Sequence, residues 1–299
     1  MVFFYAILPL FALIGAGFLL ARFRQTDPAP LTDVCLYILL PILMFASLVR
    51  NPLPGVAVLQ IFTYLVVLVL FYWAAVWVVG RILGLDRPTR SAITLSLSSV
   101  NSASYGLPVA LYAFGDEALS AVTLLVVGFN IYNSSLGIYI AAGGRQSPLG
   151  SLISVFKLPL IYAVILAVAS ITLNIKPSPE YLDLLILIGK AGPQVALIVL
   201  GIQISGLKLR GQGSRELYGG IAAKQILAPL IGIGLTILIG AEGVVRNTLL
   251  LYSCLPTAIS MLLLSVRLDA RPDLVGGIIF VSTLVSPIPI ALLLLFLGT

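Results

Sequence analysis

Long apolar stretches alternate with short polar or turn-forming segments along the whole chain. A helix needs about 20 residues to cross the hydrocarbon core of a membrane, and ten stretches are close to or above that length. They cover residues 2–21, 31–49, 56–79, 92–114, 118–142, 154–173, 181–207, 217–239, 244–264 and 274–297. Proline- or glycine-rich segments separate several of them. The pattern predicts an all-α polytopic membrane protein with ten transmembrane helices.

The composition agrees with this prediction and argues against other classes of protein. Hydrophobic residues make up 60% of the 299 residues and charged residues 9%, whereas a soluble domain usually has about 25% charged residues. The formal net charge of +6 is spread thinly between apolar stretches and forms no basic patch, so we expect a lipid bilayer and no nucleic acid as a partner. Cys35 and Cys254 each lie inside an apolar stretch, which indicates packing roles.

Residues that would carry enzymatic chemistry are missing from the sequence. The chain has no histidine, the commonest proton shuttle and metal ligand. It also has no paired-aspartate prenyl motif and no activated nucleophile beside a base. We therefore expect no enzyme activity, no cofactor and no metal site.

Basic residues are distributed unevenly between alternate loops. The odd-numbered loops hold twelve of the 17 Lys and Arg residues, whereas the even-numbered loops and the termini hold three. The twelve are Arg22, Arg24, Arg81, Arg87, Arg90, Arg145, Lys157, Lys208, Arg210, Arg215, Arg267 and Arg271, and the three are Arg50, Lys176 and Arg246. Because cytoplasmic loops are enriched in Lys and Arg, we expect a multi-pass protein of the cell (inner or plasma) membrane with both termini outside.

Prolines inside the predicted spans recur at about half the chain length. The pairs are Pro9 with Pro159, Pro41 with Pro193, and Pro108 with Pro256, at offsets of 150, 152 and 148 residues. Five helices per half is an odd number, so the second half must enter the membrane from the opposite side. The offsets predict two inverted five-helix repeats, residues 1–144 and 145–299, an arrangement typical of secondary transporters.

Two of these prolines are expected to break the fourth and ninth spans within the membrane. Proline lacks an N–H group and clashes with the preceding turn, so we expect one helix to end before Pro108 and another to break at Pro256. Each proline would then begin a second half-helix. The first N–H groups of a half-helix have no partner and carry partial positive charge, which favours an anionic ligand where the two breaks cross.

Polar side chains flank both breaks and complete the candidate site. A matched pair of broken helices points to the binding site of a transporter, although prolines can also kink membrane helices without any ligand. Asn133 in the fifth span is a further cavity group, with an interhelical hydrogen bond as the alternative. The predicted substrate-binding residues are Asn101, Ser104, Gly106, Pro108, Asn133, Pro256, Thr257 and Ser260.

Two lysines lie inside predicted spans. Lys190 interrupts the seventh span and Lys224 lies in the eighth. Charges within a membrane are costly and usually functional, so one or both lysines could attract a carboxylate substrate into a cavity. The alternative is that each lysine extends to the membrane interface or lines a wet surface without touching substrate.

Six segments, in order along nearly the whole chain, carry a resemblance to a known family. They are Tyr37-Ile-Leu-Leu-Pro41, Asn101-Ser-Ala-Ser-Tyr-Gly-Leu-Pro108, Asn133-Ser-Ser-Leu-Gly137, Ala196-Leu-Ile-Val-Leu-Gly201, Ala223-Lys-Gln-Ile-Leu-Ala-Pro229 and Leu255-Pro-Thr-Ala258. Together they resemble the auxin efflux carrier family, which covers plant auxin exporters and bacterial permeases for malonate- and malate-like acids. The short loops are similar to those of the compact prokaryotic members.

The resemblance implies a fold, a mechanism and a site. It implies ten helices in two inverted repeats, helices four and nine crossing at their breaks, elevator-like alternating access, and a homodimer. It also implies that Asn101 and Asn133 line the substrate at the crossing. Two functions stay open: a secondary carrier for a small organic anion, and a sodium-coupled organic-anion symporter of the bile-acid-transporter type. Coupling to protons or to sodium stays open as well.

Overall fold

A computed structural model gives the fold and describes residues 2–141, 156, 159–175, 177–207, 215–267 and 269–298. These described residues form helices and no β-strand. The helices are α1 (Val2–Arg24), α2 (Ala29–Arg50), α3 (Gly55–Ile82), α4 (Arg87–Ser98), α5 (Leu107–Phe114), α6 (Leu119–Ser134), α7 (Leu136–Ala141), α8 (Pro159–Thr172), α9 (Pro179–Ser205), α10 (Arg215–Ile239), α11 (Gly243–Ser253), α12 (Ser260–Arg267), α13 (Pro272–Val285) and α14 (Pro287–Leu297).

Helices occupy every one of the ten predicted spans, although several spans are divided. Among the described residues, five helical segments are long and apolar enough to cross a membrane: α2, α3, the segment Arg87–Ser134, α9 and α10. Helices α13 and α14 form a sixth when they are counted as one span bent by 42°. The protein is therefore all-α and multi-pass, while the number of ten spans and the inverted repeat remain predictions.

Part of the predicted topology falls outside the described residues, namely Arg145, Lys157, Lys176, Lys208, Arg210 and the boundary between residues 144 and 145. Two hydrogen bonds each join described residues near span ends that the basic residues assign to the same side of the membrane. Arg271 Nη1 donates to Thr89 Oγ1 at 3.0 Å on the predicted cytoplasmic side. Gln60 Nε2 donates to the Gly240 carbonyl at 2.9 Å on the opposite side. Which side faces the cytoplasm remains a prediction.

One group of helices packs through backbone contact. Helix α9 is interrupted at Lys190, which separates Pro179–Gly189 from Ala191–Ser205. Helix α1 lies along the second part of α9, and α2 packs against α8 and the first part. Glycines allow the close approach: a Cβ atom at Gly17 would lie 2.0 Å from the Ile198 carbonyl oxygen, and one at Gly201 would lie 1.9 Å from the Ile14 carbonyl oxygen. Small residues at such contacts let membrane helices pack tightly. We call α1, α2, α8 and α9 the glycine-packed bundle.

The remaining helices form a second group around the two broken spans. Helix α4 packs against α3 and α13, α6 packs against α3, and α10 packs against α11 and α13. This second bundle meets the first where α9 contacts the turn Ser102–Gly106 and where α2 contacts α6. At the latter contact Ser120 Oγ donates to the Ser47 carbonyl at 2.9 Å.

Three prolines follow a widened, π-helical turn within their spans. The turns Cys35–Leu39, Ser102–Gly106 and Ala223–Leu227 precede Pro41, Pro108 and Pro229 respectively. Proline cannot donate to the carbonyl four residues earlier, and its ring crowds that carbonyl. A π turn relieves this crowding without ending the helix, and such turns are frequent at functional sites.

Candidate functional site

The first break lies earlier in the chain than the sequence suggested. Helix α4 ends at Ser98, Ser99 is extended with φ −108° and ψ 133°, and helical structure resumes at Ser102. The break therefore precedes Pro108, as expected, but it lies at residues 99–101, and Pro108 does not itself begin the second half-helix. The π turn before Pro108 absorbs the proline, since the Gly106 N–H bonds to the Asn101 carbonyl five residues back at 2.8 Å.

The second break also differs from its prediction in one respect. Residues 254–259 are non-helical, and α12 begins at Ser260. Pro256 therefore lies inside the unwound segment and does not begin the second half-helix. The Pro256 carbonyl makes a tertiary contact instead of a helical one, because it accepts the Asn101 N–H at 2.9 Å.

The two breaks lie directly against each other, and we call residues 99–101 and 254–259 the crossing. Besides the bond from Asn101 to Pro256, Thr257 Oγ1 donates to the Ser96 carbonyl at 2.7 Å. The Thr257 N–H donates to Ser282 Oγ at 3.3 Å. Thr257 is fully buried, so its hydroxyl and its N–H fasten the crossing to α4 and α13.

Two half-helices begin beside the crossing with unpaired N–H groups. Within the described part of the chain, the N–H groups of Ala103 and Ser104 make no hydrogen bond, and neither do those of Ile259 and Ser260. Ser104 and Ile259 are half-buried and Ser260 is exposed. Unpaired N–H groups at a helix start carry partial positive charge. The crossing therefore brings together two positive helix ends, which suits an anion.

Two asparagines add hydrogen-bonding groups to this region. Asn101 is 7% exposed, and its side-chain amide has no hydrogen-bond partner among the described residues. Asn133 is half-buried, and its Oδ1 accepts from Ser99 Oγ at 2.9 Å. The bond turns the Asn133 carbonyl towards α4 and leaves its NH₂ group without a partner in the described chain. Both amides can thus donate to a ligand.

Gly106 lies where the first broken span presses on the second. A Cβ atom at Gly106 would lie 2.5 Å from Leu255 Cδ1 and 3.1 Å from the Tyr252 ring, so a larger residue would separate the spans. The Tyr252 hydroxyl donates to the Ser102 carbonyl at 3.2 Å. Sequence reasoning missed Tyr252. A signal existed, because Tyr105 and Tyr252 are 147 residues apart, close to the proline offsets.

Lys224 extends from α10 to the first break. It is 1% exposed, and its Nζ donates to the carbonyls of Leu97 and Ser99 at 3.0 and 3.1 Å. These carbonyls belong to the end of α4, where backbone C=O groups lack helical partners and carry partial negative charge. The Lys224 Nζ therefore lies at the crossing with no carboxylate partner in the described chain.

Lys190 lies elsewhere, at the mouth of a separate cavity. It stands at the break inside α9, and its Nζ lies 2.7 Å from a carboxylate oxygen of Asp116. The cavity has a volume of about 240 Å³ between the two bundles and also contains Pro108 and Gln194. Of the predicted site residues, Pro108 and Lys190 thus line this outer cavity, while Asn101, Pro256, Thr257 and Lys224 lie at the crossing.

Comparison with known proteins shows the family to which the chain belongs. A family model described as "Membrane transport protein" matches residues 2–294. An uncharacterized transporter of Methanothermobacter thermautotrophicus is 26% identical over 280 residues, which cover 90% of this chain and 88% of that protein. An uncharacterized transporter of Methanocaldococcus jannaschii is 27% identical over 279 residues, which cover 88% of this chain and 87% of that protein. The chain is therefore a membrane transporter, not an enzyme, and belongs to the membrane transport protein family, the auxin efflux carrier family that its motifs resemble.

Proposed function

We propose that this transporter carries a small organic anion, a carboxylate, across the cell membrane and binds it at the crossing. The observation that carries the proposal is the 2.9 Å hydrogen bond from the Asn101 N–H to the Pro256 carbonyl. This bond brings the starts of two half-helices together, and each start has unpaired N–H groups. A carboxylate placed there would gain charge-assisted hydrogen bonds.

The asparagine side chains support the same assignment. The free amide of Asn101 and the NH₂ group of Asn133 offer neutral donors beside the helix starts. Donors without a fixed partner are costly to bury unless a ligand or water satisfies them. Ser104 and Ser260 would add hydroxyl groups, whereas Thr257 would position the backbone, since its hydroxyl is bonded to Ser96.

An elevator-like motion is part of the proposal. The glycine-packed bundle holds its helices in backbone contact and would stay fixed, while the second bundle would carry the crossing and its ligand across the membrane. The outer cavity lies between the two bundles and is a candidate vestibule. A homodimer, a cell-membrane location and termini on the outside belong to the same proposal. The family match does not favour the alternative of a sodium-coupled symporter of the bile-acid type.

Ligand-induced thermal stabilisation of the purified transporter is the appropriate experiment. The panel consists of malonate, malate, succinate, lactate, indole-3-acetate and a bile acid, each in sodium and in choline buffer. A ligand that binds only the folded state adds RT ln(1 + [L]/Kd) to the free energy of unfolding and so raises the Tm as its concentration increases. We expect a concentration-dependent rise with at least one small acid in choline buffer.

Two variants at the crossing and one control variant locate the site. Asn133→Ala and Asn101→Ala should reduce or abolish the shift. Asn130→Ala is the control, because Asn130 lies one turn before Asn133 on α6 and donates to the Val126 carbonyl of its own helix. An unchanged shift in Asn101→Ala and Asn133→Ala would exclude the crossing as the site, and the absence of a shift with every acid would exclude the ligand class.

A further inference from the structure

We propose that the crossing contains a site for a monovalent cation and that the chain fills this site with its own Lys224 ammonium. Transport would then need no sodium, a consequence that rests on the proposed carrier function. The site consists of the carbonyls of Leu97 and Ser99, which lie 3.0 and 3.1 Å from Nζ. Backbone carbonyls of this kind replace the hydration shell of monovalent cations in selective ion pathways.

The site exists because the crossing diverts a helical hydrogen bond. In an unbroken helix the Asn101 N–H would bond to the Leu97 carbonyl, four residues earlier. Here the Asn101 N–H bonds to Pro256 instead, and the Ala103 N–H, which would reach the Ser99 carbonyl, has no partner in the described chain. Both carbonyls are thereby released at the negative end of α4, where a cation is favoured.

The position of Lys224 in its own helix suits the role of a fixed cation. Lys224 belongs to the π turn Ala223–Leu227 of α10 and is 1% exposed. The next residue, Gln225, donates from Nε2 to the Ser282 carbonyl at 2.9 Å, and Ser282 Oγ accepts the Thr257 N–H at 3.3 Å. One turn of α10 therefore supports the first break through Lys224 and the second break through Gln225 and Ser282.

A tethered cation has a different consequence from a diffusible one. A sodium ion at this site would enter and leave during each transport cycle and couple transport to its gradient. The ammonium of Lys224 remains attached to α10 and provides the same charge in every step. We assign Lys224 as a positioning residue of the crossing, which holds the released carbonyls and does not act on substrate from a distance.

Chemical rescue separates this role from other roles of a buried lysine. Lys224→Ala vacates the site, and n-propylammonium replaces the deleted atoms, including the charge. Lys224→Met fills the same volume without charge and leaves no room for an added cation. The Tm of the purified wild type and of both variants is measured in choline, sodium and n-propylammonium chloride at equal ionic strength, without any acid ligand.

We expect the wild type to have the same Tm in choline and in sodium. Lys224→Ala should melt lower than the wild type in choline and recover by roughly 2–4 °C in n-propylammonium, whereas Lys224→Met should melt low in all three salts. Specific stabilisation of the wild type by sodium would overturn the proposal. Equal responses of the two variants to n-propylammonium would overturn it as well.

The wild-type measurement and the absence of an acid ligand make this experiment independent of the variants' folding and of the anion proposal. If Lys224→Ala does not fold, the Tm of the wild type in choline and in sodium still tests the proposal. A higher Tm in sodium contradicts a site that Lys224 already fills, and the same Tm in both salts supports it. Because no organic acid is added, failure of the anion proposal would leave these measurements unchanged. The two proposals can therefore fail separately.

Discussion

The two lysines within predicted spans lie in opposite surroundings. Lys224 is buried and donates to two backbone carbonyls at the crossing. The Lys190 side chain is 36% exposed and forms an ion pair with Asp116, which is 50% exposed, at the mouth of the outer cavity. A lysine within a predicted span can thus donate to the backbone carbonyls of a broken helix, or it can form a solvent-exposed ion pair. The same substitution at the two positions should therefore have very different effects.

Lys224→Met should have the largest effect. The substitution removes the donor to the carbonyls of Leu97 and Ser99, and a buried acceptor left without a donor costs about 1–3 kcal/mol. We expect a clear loss of unfolding free energy, measured by denaturant titration, and a fall of about tenfold or more in the uptake rate of the stabilising acid in proteoliposomes. If this variant keeps wild-type stability and uptake, the hydrogen bonds of Lys224 do not support the crossing.

Thr257→Val should have the next largest effect. Valine has the shape of threonine but lacks the hydroxyl that donates to the Ser96 carbonyl at 2.7 Å. We expect a loss of about 0.5–1.5 kcal/mol in stability and a smaller loss of acid binding than for Asn101→Ala. Thr257→Ser, which keeps the hydroxyl, is the control. Equal stability of the valine and serine variants would argue that this hydrogen bond does not hold the crossing.

Asp86→Ala at the other end of α4 should lower the stability by an amount similar to that for Thr257→Val. The Asp86 side chain caps α4 by accepting the Thr89 N–H at 2.9 Å, and Asp86→Ser would preserve a cap. Loss of such a cap costs about 0.5–2 kcal/mol. Lys224 acts at the opposite end of the same helix and shares no hydrogen-bond partner with Asp86. The two losses should therefore add to within about 0.5 kcal/mol, which a double-mutant cycle measures.

The Asp86 cap also predicts a pH dependence. Hydrogen bonds from the side chain and backbone of Thr89 hold the pKa of Asp86 below its ordinary value. The stabilisation is therefore present above the unfolded-state pKa of about 3.9 and is lost as the pH falls through the lower folded-state pKa. The difference in stability between wild type and Asp86→Ala should shrink in this acidic range, and a constant difference would contradict the assignment.

Lys190→Met should have the smallest effect. An exposed ion pair contributes about 0.2–1 kcal/mol, and Asp116→Asn should match it, because each variant removes the same pair. We expect little change in stability and a change in the uptake rate that diminishes as salt screens the cavity. A loss as large as that of Lys224→Met would contradict the contrast between the two lysines.

The sequence predicted the helices well because an apolar stretch of membrane length leaves few other structures open to the backbone. Pro108 and Pro256 also marked the two spans that unwind at the crossing. They did not locate the unwound residues, since the hydrogen bond between Asn101 and Pro256 joins residues 155 positions apart. Likewise, Lys190 and Lys224 could not be distinguished from local sequence, because Asp116 and the end of α4 are distant partners in the chain.

Uptake of the stabilising acid by proteoliposomes without sodium, with radiolabelled malonate as the first probe, measures directly whether the transported anion binds at the crossing. The wild type, Asn101→Ala and the control Asn130→Ala are reconstituted in equal amounts, with choline as the monovalent cation on both sides. We predict uptake by the wild type and by Asn130→Ala, and uptake reduced by about tenfold or more in Asn101→Ala. Equal uptake by all three proteins, or wild-type uptake that begins only when sodium is added, would contradict the account.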